Sequence, residues 1–246
     1  TPKEFPYTGS PIKIELRAGE DAPQFFGAYM PGVKVGPSPK WLATKLEAIG
    51  QRSINNVVDA SNFIMFELGY PVHIYDADKI EGGVIAVEKA KNTATLPLLD
   101  GGEAKLQGFE LLIVDGKKPI GLAGVMGGGN SEVSDSTKNL FLEVAEFNPT
   151  LVRRSAFAHQ RRSEASLRFE KGIDPSRLKE ACTALADLVV RIAGGEVTGA
   201  TFVQSESRKN FMPRIVLFDP KHVETKLGLS LPDGETRKIL EGLEFK

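Results

Sequence analysis

A glycine-rich run, AGVMGGGNS at residues 123 to 131, is the first stretch of this sequence whose residue types could do chemistry. From Gly124 onward its spacing matches a phosphate-binding loop, except that Asn130 stands where that motif has a lysine. A phosphate loop also opens directly into a helix, whereas the next residues, SEVSDSTKN, are acidic and typical of turns. The dinucleotide fingerprint fails as well, because Ala123 occupies its second glycine position after Gly121. Nucleotide binding is therefore disfavoured.

Two interpretations of these glycines remain open. They could form a tight bend between strands, because glycine adopts positive φ at little steric cost. Alternatively, the missing side chains could let a ligand lie against bare backbone. The sequence pattern alone does not choose between a bend and a ligand surface.

A glutamate, Glu143, interrupts the apolar run FLEVAEF, and strand alternation puts it on one face with Phe141 and Ala145. From the residues alone, the usual interpretation is an edge glutamate that faces water. A buried carboxylate would instead need a partner or a function. His73, in YPVH after a predicted helix end, is by itself typical of a structural histidine. We find no convincing serine elbow, general-base triad or metal cluster in the sequence.

Composition limits the class of protein. The 246 residues carry a formal net charge of −1, with 41% hydrophobic and 26% charged residues, which is ordinary for a globular protein. Any nucleic-acid surface must therefore be local. The single cysteine, Cys182, excludes an internal disulfide, and its apolar surroundings predict burial. Without a membrane-length apolar run or a signal peptide, we expect a cytoplasmic protein that does not enter a membrane. The two ends suggest a piece of a longer chain.

The elements that must position these residues begin with two predicted helices. In GPSPKWLATKLEAIG, Ser38 is the predicted N-cap, Pro39 the first helical residue and Gly50 the stop. The residues at helical spacing, which we expect to be buried, are Trp41, Leu42, Leu46 and Ile49. SINNVV then predicts a short strand, and Asp59 is the predicted N-cap of a largely apolar helix that ends at Gly69.

Short strand-like runs separated by turns fill residues 80 to 142. Asp174 is the predicted N-cap of a long helix, and VTGATFVQSES predicts a strand after it. SRKNFMP is a polar break, and residues 214 to 246 predict a strand and two short helices of a separate unit. Helices at both ends of many short strands predict an α+β fold, with multi-stranded mixed or antiparallel sheets flanked by helices in a layered sandwich.

Three long blocks occur in a fixed order: RSINNVVDASNFIMFELGYPVHIYDADKI, LAGVMGGGNSEVSDSTKNLFLEVAEFNP and SEASLRFEKGIDP. Together they resemble the central editing module of the bacterial phenylalanyl-tRNA synthetase beta subunit, over roughly residues 33 to 200. The tail from residue 214 is similar to the start of that subunit's next domain. The resemblance implies a flanking segment at 1 to 37 packed on or leading into the module, an editing domain at 38 to 205, and a linker with a truncated next domain at 206 to 246.

The activity implied by the resemblance is hydrolysis of tyrosine wrongly esterified to the phenylalanine tRNA. An apolar pocket for phenylalanine cannot strongly reject an isostere that only adds a hydroxyl, whereas a second site can demand that hydroxyl. The family also implies an alpha-subunit partner in an alpha2-beta2 heterotetramer. It implies no cofactor in this module, with ATP and Mg²⁺ only at the synthetic site on the alpha subunit.

The resemblance also implies site residues. Glu143 matches the residue that receives the tyrosine hydroxyl, while Gly124 and Ala165 match small residues that leave room for the ring. The rim that holds the aminoacyl group and the terminal adenosine is matched by Asn56, Ser61, Asn62 and His73. Ser61 departs from the family's usual threonine but keeps the hydroxyl. We expect the catalytic candidates, His73, Asn62 and Ser61, to position a hydrolytic water without a covalent intermediate.

Residues 153 to 171 hold a local excess of positive charge. The candidate tRNA-binding residues, which could contact acceptor-end phosphates, are Arg153, Arg154, Arg161 and Arg162. The alternative is a solvated charged face in which Arg168 and Glu170 form a structural ion pair. Three hypotheses follow: an editing hydrolase, a non-catalytic tRNA-docking or assembly module, and a freestanding editing-like or nucleotide-binding protein.

Overall fold

The structure is a computed structural model that describes residues 9 to 91, 94 to 209 and 215 to 245. The Pro-rich entry at residues 1 to 8 and residues 210 to 213 of the expected polar break lie outside the described residues. The chain divides into two compact units, Thr1–Asn210 and Phe211–Lys246. The domain boundaries expected from the resemblance stay a prediction.

The first unit holds all the described strands. They are β1 (Lys13–Leu16), β2 (Gln24–Pro31), β3 (His73–Asp76), β4 (Val84–Lys89), β5 (Thr95–Pro97), β6 (Glu103–Lys105), β7 (Leu111–Val114), β8 (Pro119–Leu122), β9 (Met126–Gly127), β10 (Asn139–Glu146) and β11 (Gly199–Gln204). Its α-helices are α1 (Lys40–Ala48), α2 (Asn56–Leu68), α3 (Pro149–Ala158), α4 (Glu164–Phe169), α5 (Leu178–Ala193) and α6 (Glu206–Lys209). The strands predicted between residues 80 and 142, and the long helix and strand predicted after them, are confirmed. The predicted N-cap of that helix is wrong, because Asp174 caps a short 3-10 turn, Pro175–Arg177, that precedes α5.

The strands form two main sheets. One is antiparallel throughout, with the order β11-β2-β10-β3. The other is mixed, with the order β1-β4-β7-β8-β9, in which only β1 and β4 run parallel. Strands β5 and β6 make a separate two-stranded ribbon. The predicted α+β fold with mixed and antiparallel sheets is confirmed.

The antiparallel sheet is the middle of three layers. On β10, Phe141 and Ala145 belong to the apolar core shared with the mixed sheet. Leu142 and Val144 belong to a second core shared with α2 and α5. A sheet that is covered on both faces needs apolar residues at consecutive positions, which explains the unbroken apolar texture of β10. Cys182 is fully buried in the second core, as predicted, and burial raises the pKa of its thiol.

Helix α2 begins earlier than the sequence suggests. The side chain of Asn55 accepts hydrogen bonds from the backbone N–H groups of Val57 and Val58, at 3.1 and 2.8 Å. Asn55 is therefore the N-cap, and both the predicted strand at SINNVV and the predicted N-cap role of Asp59 are wrong. Gly69 does end the helix in the left-handed conformation, with φ 69°.

Asp59 lies inside α2 and is fully buried. Its Oδ2 accepts hydrogen bonds from the hydroxyls of Ser38 and Ser53, each at 2.5 Å, and its Oδ1 accepts one from the Ile54 N–H at 2.9 Å. Ser38 is thus used to bind Asp59 and does not cap α1, whose N-cap is Pro39.

Helix α1 buries a narrower face than predicted. Leu42 and Leu46 are buried, but Trp41 and Ile49 are 42% and 51% exposed. Trp41 makes an edge-on contact with Phe63, with ring centroids 5.8 Å apart. The predicted burial of Trp41 and Ile49 is wrong, because a helix at the surface buries only the residues directly over the core.

The second unit contains two helices, α7 (Pro220–Leu227) and α8 (Asp233–Gly242), which confirms the two predicted short helices. The strand expected before them is absent from residues 215 to 219, the described part of that run. Among the described residues, no helix has the length and apolar character needed to cross a membrane.

Candidate functional site

A cavity of about 470 Å³ lies in the first unit, lined by parts of α2, β3, the β8–β9 turn, β10 and α4. This volume is within the range of small-molecule sites. The apolar part of the lining includes Met65, Leu122, Val125, Phe147 and Phe169. Polar side chains from α2, β3, β10 and α4 interrupt this apolar surface, so the pocket can bury an apolar ligand and orient it through hydrogen bonds.

Glu143 is the buried carboxylate of this cavity, with 6% of its surface exposed. Its position on β10 gives it the same face as Phe141 and Ala145, as strand alternation predicts. The Tyr75 hydroxyl donates a hydrogen bond to Glu143 Oε2 at 2.5 Å. Among the described residues, no group donates to Oε1. The interpretation of Glu143 as an edge glutamate facing water is therefore wrong.

Burial controls the protonation of this pair. Loss of solvation raises the pKa of Glu143 to about 7, although the hydrogen bond from Tyr75 opposes this shift. Burial, together with the adjacent carboxylate, raises the pKa of Tyr75 well above its usual value. Near neutral pH, Tyr75 therefore keeps its proton and Glu143 is close to half ionised.

His73 begins β3 and pairs directly with Glu143 across the antiparallel ladder, so both side chains project from the same face. The His73 ring meets the Tyr75 ring edge-on, with centroids 4.5 Å apart. Burial lowers the pKa of His73 to about 4. The ring is therefore neutral at neutral pH and can both donate and accept a hydrogen bond.

Ser61 and Asn62 line the cavity from α2. The Ser61 hydroxyl donates to the Val58 carbonyl at 2.7 Å, which is a hydrogen bond within the helix. The Asn62 side chain makes no hydrogen bond to any described residue, and its amide is half-buried at the cavity. Asn62 is therefore available to a ligand, whereas Ser61 would have to exchange an internal partner for one.

Asn56 differs from the sequence expectation, because it is not among the residues that line the cavity. Its side chain accepts from the Gly36 N–H and donates to the carbonyls of Lys34 and Ile192, each at 3.0 Å. All these partners are backbone groups of the protein itself. The structure therefore gives Asn56 a structural position rather than one on the rim.

The glycine loop forms the tight bend of the first interpretation, and Gly124 and Gly127 also line the cavity. Gly124 has φ +69° in the turn between β8 and β9, so it allows a tight bend. At Gly127, an added Cβ would lie 2.6 Å from Cε1 of His73, so the missing side chain allows the histidine ring to approach the backbone. No helix begins in the described residues after Ser131 until Pro149, which removes the remaining likeness to a phosphate loop.

Gly124 and Ala165 both line the cavity. An added Cβ at Gly124 would meet Val152, Phe147 and Phe169 at 2.9 to 3.1 Å. A side chain there would therefore disturb the packing and strain the backbone before it filled the cavity. Ala165, in the first turn of α4, is the better probe of cavity space.

The four arginines expected to bind tRNA do not line the cavity. Arg153 and Arg154 are exposed on α3, and the Arg154 guanidinium lies 3.8 Å from the ring centre of Phe109. Arg161 pairs with Asp100 at 2.6 Å. Arg162 pairs with Glu170 at 3.3 Å, and Arg168 pairs with Glu164. The expected ion pair between Arg168 and Glu170 is therefore replaced by these two pairs.

Tyr75 is a cavity residue that sequence reasoning missed. The spacing of two between His73 and Tyr75 in HIYD was an available signal, because alternate strand residues share a face. That signal could not show that β3 pairs with β10, on which the hydrogen bond to Glu143 depends.

Comparisons with known proteins agree with this architecture. The B3/4 domain model matches residues 21 to 194. The phenylalanine–tRNA ligase beta subunit of Geobacillus kaustophilus is 42% identical over 234 residues, covering 95% of this chain and 29% of that protein. The corresponding subunit of Carboxydothermus hydrogenoformans is 39% identical over 236 residues, covering 96% of this chain and 29% of that protein. The chain thus spans less than a third of the length of these relatives.

A solved structure of an N-terminal fragment of the phenylalanyl-tRNA synthetase beta subunit from Pyrococcus horikoshii superposes with a TM-score of 0.53. The match covers 98% of this chain and 67% of that chain at 14% identity, so it supports the fold alone. The family model, in contrast, matches most of the first unit. The chain therefore belongs to the B3/4 domain family, and the resemblance to phenylalanyl-tRNA synthetase beta subunits found in the sequence is confirmed.

Proposed function

We propose that this chain is an editing module that hydrolyses tyrosine wrongly esterified to the phenylalanine tRNA. The relatives are named as phenylalanine–tRNA ligase subunits, and such an enzyme meets tyrosine as an isostere with one added hydroxyl. In the proposal, the chain acts within a larger synthetase that pairs with an alpha subunit. ATP and Mg²⁺ belong to the synthetic site of that partner.

The observation that carries the proposal is the acceptor at the apolar cavity. Glu143 Oε2 has Tyr75 as a partner, whereas Oε1 has none among the described residues. A bound tyrosine side chain donates its hydroxyl to Oε1, but phenylalanine leaves that oxygen desolvated and unpaired. An unpaired buried acceptor costs about 1–3 kcal/mol, and more when it is charged, which is the basis for selecting tyrosine.

The groups around the cavity support hydrolysis by a positioned water. His73 is neutral and can accept a hydrogen bond from that water, while the Asn62 amide is available to hold the aminoacyl carbonyl or the ribose. The Ser61 hydroxyl is bonded to a backbone carbonyl, which argues against a serine nucleophile. Ester hydrolysis needs alignment of water and carbonyl more than a strong base, so the proposal includes no covalent intermediate.

The test compares tyrosyl-tRNA and phenylalanyl-tRNA as substrates of the intact synthetase, unaltered or carrying Glu143→Gln. The amide keeps the shape of the carboxylate but weakens the hydrogen bond from the substrate. We expect kcat/KM for tyrosyl-tRNA hydrolysis to fall about 10- to 100-fold, with little change for phenylalanyl-tRNA. Ester cleavage followed over time gives both rates.

The matched control is Glu103→Gln, which changes an exposed strand glutamate outside the cavity lining and should leave both rates unchanged. If Glu143→Gln edits with unaltered rate and selectivity, the role of Glu143 is wrong. If the unaltered enzyme leaves tyrosyl-tRNA to decay at its spontaneous rate, hydrolysis itself is wrong and a docking module is the remaining hypothesis.

A further inference from the structure

The Tyr75 hydroxyl donates a hydrogen bond to Glu143, the carboxylate that is proposed to receive the hydroxyl of a bound tyrosine. In the β3–β10 register, Tyr75 lies opposite Phe141 and His73 opposite Glu143, so Tyr75 is the diagonal neighbour of the carboxylate on the same face. Only 1% of Tyr75 is exposed, yet it is part of the cavity lining. The protein therefore supplies its own phenol to the carboxylate that is proposed to receive the substrate phenol.

The Tyr75 ring is buried and packs against His73. His73 contacts it edge-on, with 4.5 Å between ring centroids. Near the hydroxyl, Gly121 has no side chain, and a methyl group added there would lie 3.6 Å from the Tyr75 oxygen. The ring, packed against His73, directs its single donor at Glu143 Oε2.

We propose that Tyr75 is a positioning residue for amino-acid selection, because its phenol occupies Oε2 of Glu143 and leaves Oε1 as the one acceptor for a tyrosine side chain. This inference rests on the proposed editing function. Occupation of Oε2 fixes the carboxylate rotamer, so Oε1 has a defined direction into the cavity. It also limits the unpaired polar surface to the one oxygen that distinguishes tyrosine from phenylalanine.

The same hydrogen bond favours the ionised, acceptor-only form of Glu143. Burial brings the pKa of Glu143 to about 7, and the Tyr75 hydrogen bond counters part of that rise, so its removal moves the pKa upward. The other titratable groups that line the cavity are His73, neutral above a pKa of about 4, the exposed Glu132, and Glu164, which pairs with Arg168. No cation among these lining residues can replace the Tyr75 donor.

The experiment measures binding of L-tyrosinamide and L-phenylalaninamide to the whole chain by NMR titration over a range of pH. Neither probe carries an ester, so binding is separated from hydrolysis. Relative to the unaltered chain, we expect Tyr75→Phe to bind tyrosinamide about tenfold more weakly near neutral pH, with unchanged phenylalaninamide affinity. We also expect the midpoint at which the preference for tyrosinamide develops to move up by about one pH unit.

Tyr70→Phe is the matched control, because Tyr70 is also buried and its hydroxyl contacts the Ala145 carbonyl of β10 at 3.3 Å, outside this cavity. It should change neither the preference nor its midpoint. A double-mutant cycle adds a second check: with Glu143→Gln already present, Tyr75→Phe should have no further effect on the preference.

If folded Tyr75→Phe keeps the preference for tyrosinamide and the pH midpoint of that preference, the inference is overturned. Tyr75 would then have only a packing role. If that variant does not fold, Tyr75→3-fluorotyrosine keeps the ring and makes the phenol a stronger donor. The midpoint should then move to lower pH, and an unmoved midpoint overturns the inference. A Tyr75-dependent preference without tyrosyl-tRNA hydrolysis would refute the proposed activity alone, while no preference in the unaltered chain would refute this inference.

Discussion

At the scale of single residues, the function proposed for Glu143 conflicts with its effect on stability. Its pKa is raised from 4.5 to about 7 in the folded chain because burial penalises the charged form. Between these two values the folded state holds a proton that the unfolded state has released. The free energy of unfolding therefore falls as pH rises through this window, and the loss is complete above about pH 7.

Glu143→Gln removes this loss, so we expect the variant to be more stable than the unaltered chain near pH 8. A shift of this size corresponds to about 3 kcal/mol of unfolding free energy. The difference should shrink towards zero near pH 4.5, where the buried carboxyl is protonated and resembles an amide. Urea unfolding at several pH values measures it.

His73 is present in both the unaltered chain and Glu143→Gln, so its contribution cancels in the difference between their unfolding free energies. Its pKa is lowered to about 4 in the folded chain, so its contribution to stability rises with pH between about 4 and 6.5, opposite in sign to that of Glu143. A stability difference that is independent of pH would contradict the burial of an ionisable Glu143. We therefore expect Glu143→Gln to gain stability and, under the proposed function, to lose selectivity, a trade that functional sites commonly make.

At the scale of elements, Asp59 does not cap the N-terminus of α2. It anchors the helix to neighbouring segments through hydrogen bonds to its carboxylate. The two serine hydroxyls and one backbone N–H that bind this carboxylate come from the segments before α1 and before α2. The helix held in this way carries Ser61 and Asn62 to the cavity. A residue outside the cavity thus sets the position of two cavity residues.

Asp59→Ala should therefore lower the free energy of unfolding by about 2–4 kcal/mol, since it removes the buried acceptor of two half-buried hydroxyls and one backbone N–H. It should also weaken tyrosinamide binding by displacing Ser61 and Asn62. Asp187→Ala, an exposed change within α5, is the helical control and should shift stability by less than about 0.5 kcal/mol. Equal stability of the two variants in urea unfolding would show that Asp59 does not anchor the helix.

The same helix shows what sequence could and could not predict. Local sequence signals predicted the structure correctly where a single residue determines the backbone conformation, as Gly69 does at the end of α2. The period-two alternation also placed Glu143 on the correct face of its strand. Asp59 was misassigned because a capping carboxylate and a buried one have the same local pattern, and only partners distant along the chain distinguish them. Tyr75 was missed for the same reason, since its partner is 68 residues away.

At the scale of the whole molecule, the cavity lies beside a sheet that is covered on both faces. All of its lining belongs to the first unit, so the second unit contributes no lining residue among those described. The family resemblance supplied most of the candidate site residues, and the structure brings His73, Ser61, Asn62, Gly124, Glu143 and Ala165 together at the cavity. Asn56 is the exception, because it does not line the cavity and its side chain bonds to backbone groups of the protein.

Net charge offers no general attraction for tRNA, because the formal charge of the chain is −1. Any phosphate contact must come from a local surface such as α3, which packs against α4 at the cavity. Arg153 and Arg154 are exposed there, whereas Arg161 and Arg162 already pair with carboxylates and should contribute less.

Changing both Arg153 and Arg154 to Ala should weaken tRNA binding by the intact synthetase and lower the slope of log affinity against log salt by about one to two, one unit for each lost phosphate contact. Fluorescence anisotropy at several salt concentrations measures the slope. Arg191→Ala, which removes an exposed arginine from α5, should leave it unchanged. If the double variant keeps the original slope, α3 makes no phosphate contact and its arginines form a solvated face, because a lost phosphate contact necessarily releases fewer counterions.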